Sequence, residues 1–234
     1  MTREEAILAL KQTIIDGDEE SAVKKAEEAL AAGYEPLDVV QGSVQTAMDT
    51  IGEQYRDGDV YLPELVLAGD AAKAAMEILM SRLDAADGQR ARKGTVVLGV
   101  VYGDNHDIGK NLVQAVLSAN GFKVIDLGVN CHPKKFIETA IQEKADIIAM
   151  STLITTSMPY QRQVIETLKA MGKRDQFYCI VGGGPITTEW TEKVGADGYG
   201  RDAKDAVAVC EKLMASGQRP PFAKPLLENA LVNG

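Results

Sequence analysis

The sequence predicts an N-terminal bundle of four antiparallel helices, a short linker, and then a doubly wound parallel sheet flanked by helices. Three observations carry this. Apolar residues recur at helical spacing through residues 1–83. From Thr95 onward, short apolar runs rich in β-branched residues alternate with helical stretches. Between the two, Asp84–Gly94 is polar and charged, with no period that could bury it.

The first helix starts at a capping box, Thr2 with Glu5, and presents Ala6, Leu8, Leu10, Ile14 and Ile15 as its apolar face. Gly17-Asp18 ends it. The second runs from about Glu19 to Ala32 and stops at Gly33, because glycine accepts the left-handed conformation that closes a helix. Pro36 starts a third helix, with Val39, Val40, Val44, Met48 and Ile51 at helical spacing. Arg56-Asp57-Gly58-Asp59 is a turn, and Pro63 sits in the first turn of the fourth helix, with Leu65, Leu67, Ala68, Ala72, Met76, Ile78 and Leu79. The predicted strands are Thr95–Val101, Val124–Leu127, Asp146–Met150 and Tyr178–Val181. The predicted helices between and after them are Gly109–Ala119, Pro133–Gln142, Met158–Ala170 and Ala203–Ala215. The domains are therefore 1–83, a linker 84–94, and 95–217. A proline-rich tail, 218–234, is expected to be an extended arm.

Composition narrows the chemistry. With 234 residues and 45% hydrophobic residues, each half can build its own core. A net charge of -9 argues against nucleic acid as a partner, since phosphate binding needs clustered Lys and Arg. No stretch is apolar for long enough to cross a bilayer, and Met-Thr-Arg-Glu-Glu is not a secretion signal. Cys131, Cys179 and Cys210 are widely spaced without a CxxC pair, the usage of reduced thiols in a cytoplasmic protein.

In a parallel sheet, ligands bind outside the carboxyl ends of the strands. Three loops at those ends carry unusual residues. The first is Gly103-Asp104-Asn105-His106-Asp107-Ile108-Gly109, directly after the first strand. A histidine there is free to point outward. A carboxylate two residues earlier can hold one ring nitrogen and leave the other for a metal. Gly109 allows either a tight turn or the close approach of a large flat ligand. The second loop, Ser151-Thr152-Leu153-Ile154-Thr155-Thr156-Ser157, is rich in hydroxyls. The third is Gly182-Gly183-Gly184-Pro185, with neither the lysine of a phosphate-binding loop nor a GxGxxG spacing. Singly, each is an ordinary capping histidine, helix start or turn. Together they describe a deep slot for a large polar ligand with a histidine at its mouth. His132, with no further ligand nearby in sequence, is expected at the surface.

Asp104, His106 and Gly109 match the DxHxxG signature of cobalamin-binding domains. Ser151-Thr152-Leu153 resembles the SxL motif of that family, and Gly182-Gly183 its GG motif. Met48, Gly52, Tyr55, Gly58, Leu62-Pro63 and Leu65 resemble the capping helices of cobalamin-dependent methionine synthase. The same two-part unit makes up the free-standing corrinoid proteins of methyltransferase systems, and the resemblance covers residues 1–217. It implies a helical cap followed by a Rossmann-like domain. It implies His106 as the lower cobalt ligand in place of the cofactor's own benzimidazole (base-off, His-on). Asn105 and Asp107 would stand with it in the cofactor-binding loop. Asp104 would accept a hydrogen bond from the other ring nitrogen, and Ser157 would extend that relay. The displaced nucleotide tail would enter a slot lined by Ser151, Leu153, Thr155, Gly182 and Gly183. Tyr55, Leu62 and Leu65 would lie over the upper, methyl-bearing face. The chain departs from methionine synthase in having Tyr55 for Phe, Thr156 for a common Pro, and Cys131-His132 for a small or apolar pair.

The activity implied is methyl carriage in one-carbon metabolism, by a subunit that is not catalytic alone. The cobalamin would alternate between cob(I)alamin and methylcobalamin. Three partners follow: a substrate:corrinoid methyltransferase, a corrinoid:acceptor methyltransferase using tetrahydrofolate or a thiol such as coenzyme M, and a reductive activator. The competing reading is a cobalamin-dependent sensor. Such sensors carry a Trp and a Glu-His pair in the bundle, whereas Trp190 lies in the second half and no histidine precedes His106. A mutase subunit would lack the bundle.

Overall fold

The computed structural model describes residues 2–84 and 93–227. The chain divides into two compact units, Met1–Ala86 and Asp87–Gly234. Residues 85–92 of the expected linker and the end of the tail, 228–234, lie outside the described residues.

The first unit holds α1 (Arg3–Ile15), α2 (Glu19–Ala31), α3 (Pro36–Val39), α4 (Thr46–Asp57) and α5 (Leu62–Asp84). The capping box at Thr2 is formed in both directions: the Glu5 N–H donates to Thr2 Oγ1 at 3.2 Å and the Thr2 N–H donates to Glu5 Oε2 at 2.7 Å. Alanines face one another where α2 meets α5. Ala22, Ala26 and Ala29 of α2 and Ala68, Ala71, Ala72 and Ala75 of α5 are all buried, so the two helices approach closely. The third helix is interrupted. A π-helical stretch, Val40–Gln45, separates α3 from α4. Its physical cause lies in Gly42, Ser43 and Thr46. A Cβ at Gly42 would stand 2.8 Å from the Ile7 side chain, so α1 presses on this turn. The Ser43 hydroxyl donates to the Val39 carbonyl and that of Thr46 to the Gly42 carbonyl, each at 2.6 Å. Such back-bonding competes with the helical ladder and lets the turn widen.

The second unit is a six-stranded parallel sheet in the order β2-β1-β3-β4-β5-β6. The strands are β1 (Gly94–Val100), β2 (Phe122–Asp126), β3 (Ile147–Ser151), β4 (Tyr178–Gly182), β5 (Gly198–Tyr199) and β6 (Leu226–Leu227). Its helices are α6 (Ile108–Ala119), α7 (Pro133–Gln142), α8 (Met158–Ala170), α9 (Thr188–Val194) and α10 (Ala203–Ala215). β1 through β4 read as apolar runs because both faces are covered, α6 and α10 packing together on one side and α7 and α8 on the other. Two strands and one helix exceed the expectation. β5 and β6 are two residues each, and α9 is seven residues without a clear apolar period. The extended tail packs on the protein itself, since β6 closes the sheet edge beside β5. The strand order reverses at β1, which lies between β2 and β3. The crevice outside the carboxyl ends of β1 and β3 is therefore the topological switch point.

Among the described residues, no helix is long and apolar enough to cross a membrane. Cys131, Cys179 and Cys210 are free and buried, and burial pushes the Cys179 and Cys210 thiols up to about 12, so they stay protonated and inert.

Candidate functional site

At the switch point, the loop after β1 meets the loop after β3 through one carboxylate. Asp104 is buried, and its two oxygens divide their work. Oδ1 accepts from the backbone N–H of His106 at 3.0 Å, an Asx-turn, and faces His106 Nδ1 at 2.7 Å. Oδ2 accepts from the Thr152 hydroxyl at 2.8 Å, the Leu153 N–H at 2.6 Å, the Ile154 N–H at 3.3 Å and the Ser157 hydroxyl at 3.3 Å. Thr152 and Ser157 are also hydrogen-bonded to each other.

This arrangement fixes the carboxylate's charge. Burial alone would raise the Asp104 pKa. The N–H groups of His106 and Leu153, the His106 ring and the Thr152 hydroxyl outweigh it and hold the group well below the usual carboxylate range. An ionised Asp104 can only accept, so His106 Nδ1 carries the proton and Nε2 presents its lone pair. The imidazole is 56% exposed, so Nε2 is open to a ligand or metal.

The sign of the pH effect follows. The folded value lies below the unfolded one, so ionised Asp104 stabilises the fold fully above the ordinary value of 3.8, and the contribution is lost as pH falls below it. Asp104→Asn removes the charge at every pH. The difference in melting temperature between wild-type and Asp104→Asn apoprotein will therefore be largest at neutral pH and shrink toward about pH 3. A constant difference across that range would refute it.

Two further side chains brace the histidine loop. Asn130, with a positive φ of 52°, accepts the Gly103 N–H on its side-chain oxygen at 2.8 Å and donates its own N–H to the Asp104 carbonyl at 2.9 Å. Lys110, in the first turn of α6, is fully buried. Its Nζ donates to Asp126 Oδ2 at 2.7 Å, and the other oxygen of Asp126 accepts the Gly128 N–H. Asn105 is exposed and Asp107, at the start of α6, half-buried. Gly109 does not make a tight turn: it lies within α6, exposed, and a Cβ added there meets nothing within 4 Å. The space above it is open.

The hydroxyl-rich loop divides in two. Thr152 and Ser157 are buried and turned toward Asp104, whereas Ser151 is half-buried, Thr155 exposed and Leu153 51% exposed. Thr152 was not singled out in the sequence, where it looks no different from its neighbours. Gly183 also has a role other than making room for a ligand. Its φ is +116°, and a Cβ there would fall 1.7 Å from the Thr152 carbonyl oxygen, so the two loops touch backbone to backbone. Gly183→Ala must strain its own backbone and push Thr152 away from Asp104. It will cost at least about 2 kcal/mol, read as a lower denaturation midpoint.

In the first unit, Tyr55 and Leu62 are exposed and Leu65 is half-buried. Tyr61 (72% exposed), Val66 and Leu67 extend the same apolar segment at the start of α5. His132 is exposed, as expected, and its ring stacks on Tyr102 with centroids 3.9 Å apart. Among the described residues, no three His, Cys, Asp or Glu side chains are placed to hold a bare metal ion.

Comparison with known proteins gives that geometry a family. Two models, each described as a B12 binding domain, match residues 7–80 and 94–208. A trimethylamine corrinoid protein of Methanosarcina mazei is 40% identical over 215 residues, covering 92% of this chain and 99% of the relative. The solved monomethylamine corrinoid protein of Methanosarcina barkeri is 31% identical, with a TM-score of 0.85 over 91% of this chain and all of that one. The methanol:cobalamin methyltransferase complex of Methanosarcina barkeri matches at 29% identity and a TM-score of 0.52, over 92% of this chain and 81% of that one. A helical B12 binding domain followed by a parallel-sheet B12 binding domain, matched along nearly the whole length of such relatives, places this chain in the family of corrinoid proteins of methyltransferase systems.

Proposed function

We propose that this protein is a methyl carrier that holds cobalamin with the nucleotide base detached from cobalt and His106 in its place. The observation that carries the reading is the His106–Asp104 pair. It offers one imidazole nitrogen, fixed in tautomer, at the switch point of a sheet whose neighbouring loops are built around the same carboxylate. The residues fit the group. His106 would hold the cobalt through Nε2, Gly109 would leave room for the macrocycle, and Ser151, Leu153, Thr155, Gly182 and Gly183 would hold the nucleotide tail. When bound, the corrinoid supplies a cobalt centre that accepts a methyl group and gives it up again.

The protein's own part is to hold and orient. The proton on His106 Nδ1 and the orientation of the ring have to be kept whether or not Nε2 is engaged. Asp104 does both, with Ser157 and Thr152 holding the carboxylate in turn.

The match to the methanol:cobalamin methyltransferase complex supports methyltransferase partners. A substrate:corrinoid methyltransferase would load the cobalt, a corrinoid:acceptor methyltransferase would pass the methyl to tetrahydrofolate or a thiol such as coenzyme M, and a reductive activator would restore the reduced metal. The names of the trimethylamine and monomethylamine relatives favour a methylated amine as donor.

The direct test is reconstitution. Apoprotein mixed with cobalamin should take it up one to one and show the absorption of a corrinoid whose base is off and whose lower ligand is imidazole. A spectrum of cobalamin with its benzimidazole still on cobalt would overturn the reading. Gly109→Ala supplies a second check. It should hold or raise thermal stability, by up to about 1 kcal/mol as glycine leaves a helix, while weakening cobalamin uptake.

A further inference from the structure

We infer that Gln161 is a positioning residue for the nucleotide-tail slot: its side-chain amide clamps the carboxyl ends of β3 and β4 at a fixed spacing. The inference rests on the corrinoid reading above and extends it to a residue outside every motif of the site.

Gln161 lies in the first turns of α8 and is completely buried, an unusual place for a glutamine. Both donors and one acceptor position of its amide are used. Nε2 donates to the Met150 carbonyl at 3.0 Å and to the Gly182 carbonyl at 3.2 Å, and Oε1 accepts from Trp190 Nε1 at 2.9 Å. Met150 and Gly182 stand one residue apart in register at the last paired positions of β3 and β4, where Ser151 pairs with Gly182. Their carbonyls belong to the peptide groups that lead into Ser151 and into Gly183. One amide therefore sets the planes of the two peptides from which both slot-lining loops depart. Trp190 in turn fixes which end of the amide faces the strands, because an indole N–H only donates and must meet the oxygen.

The placement in the helix adds a second consequence. Ser157 and Gln161 are four residues apart and share one side of the start of α8. Ser157 reaches the carboxylate behind His106, and Gln161 reaches the slot walls. The same helix end registers both parts of the corrinoid site.

A purely structural glutamine would affect all ligands alike. A clamp on the tail slot affects only a corrinoid that has a tail. Apoprotein of the wild type, Gln161→Met and Trp190→Phe should be titrated with cobalamin and with cobinamide, which lacks the nucleotide tail, below the melting temperature of each. Gln161→Met should weaken cobalamin binding by about tenfold, the scale of losing a supporting hydrogen-bond partner, and leave cobinamide unchanged. Trp190→Phe, which keeps the glutamine but frees its amide, should shift cobalamin alone and by less; it carries the test if Gln161→Met does not fold. Equal loss for both corrinoids, or loss for neither, would overturn the role of Gln161. A wild type that binds neither corrinoid fails the parent reading instead.

Discussion

Replacing His106 with alanine will abolish the imidazole-ligated spectrum and weaken cobalamin binding by at least tenfold, since even partners one step removed from a metal ligand are worth about 10–100-fold. The reasoning starts from the free nitrogen. Nδ1 is committed to Asp104 at 2.7 Å, so Nε2 is the ring nitrogen left for a metal. Alanine removes it and leaves Asp104 satisfied by Thr152, Leu153 and the His106 backbone N–H. The fold should therefore survive, and added imidazole should restore part of the spectrum by occupying the vacated space. Asp104→Ala will act differently. It frees the ring to rotate and change tautomer, and it leaves buried donors of the β3 loop unpaired, so both binding and stability should fall. An unchanged spectrum in His106→Ala would remove the basis of the functional reading.

The two variants also separate what the sequence made legible from what it did not. Asp104 and His106 could be read because an aspartate two residues before a histidine, just past a strand, has few geometric outcomes. Ser157 could be read only through family resemblance. Thr152 could not, because the five hydroxyl residues of that loop differ little in sequence, and only the fold decides which point inward. Gln161 and Lys110 were hidden for a related reason. A polar residue within a helix ordinarily faces water, and nothing local marks one that is turned into the interior to meet a carbonyl or a carboxylate. At the level of the fold, caps, glycine stops and β-branched runs placed the bundle and four strands to within a few residues, since those signals are local. The π-helical stretch and the two-residue strands depend on Ile7 pressing on Gly42 and on the tail returning to the sheet, both long-range facts.

The largest effect on stability is expected far from the cobalamin site, at Asp197. This residue precedes β5, at the amino ends of the strands, and is completely buried. Its Oδ2 meets Arg174 Nη2 at 2.7 Å and accepts the Cys179 N–H at 2.6 Å, while Oδ1 accepts the Phe222 N–H at 2.7 Å. Its carbonyl accepts the Leu226 N–H at 2.8 Å, and its own N–H donates to the Cys179 carbonyl. One side chain thus joins the start of β4, a buried guanidinium and the returning tail. Asp197→Ala leaves Arg174 buried without its counter-charge, a loss of about 3–5 kcal/mol, or roughly 6–20 °C in melting temperature for a unit of this size. Because β6 is anchored here, the tail should also become the first segment cut by protease. Pairing Asp197→Leu with Arg174→Met will recover only part of the loss. The charge mismatch is removed, but the N–H groups of Cys179 and Phe222 still lack an acceptor. Full recovery would mean that the ion pair alone, and not the backbone donors, accounts for the destabilisation. Cobalamin bound to Asp197→Ala below its melting temperature should keep the wild-type spectrum, because nothing in this cluster touches the loops at the opposite ends of the strands.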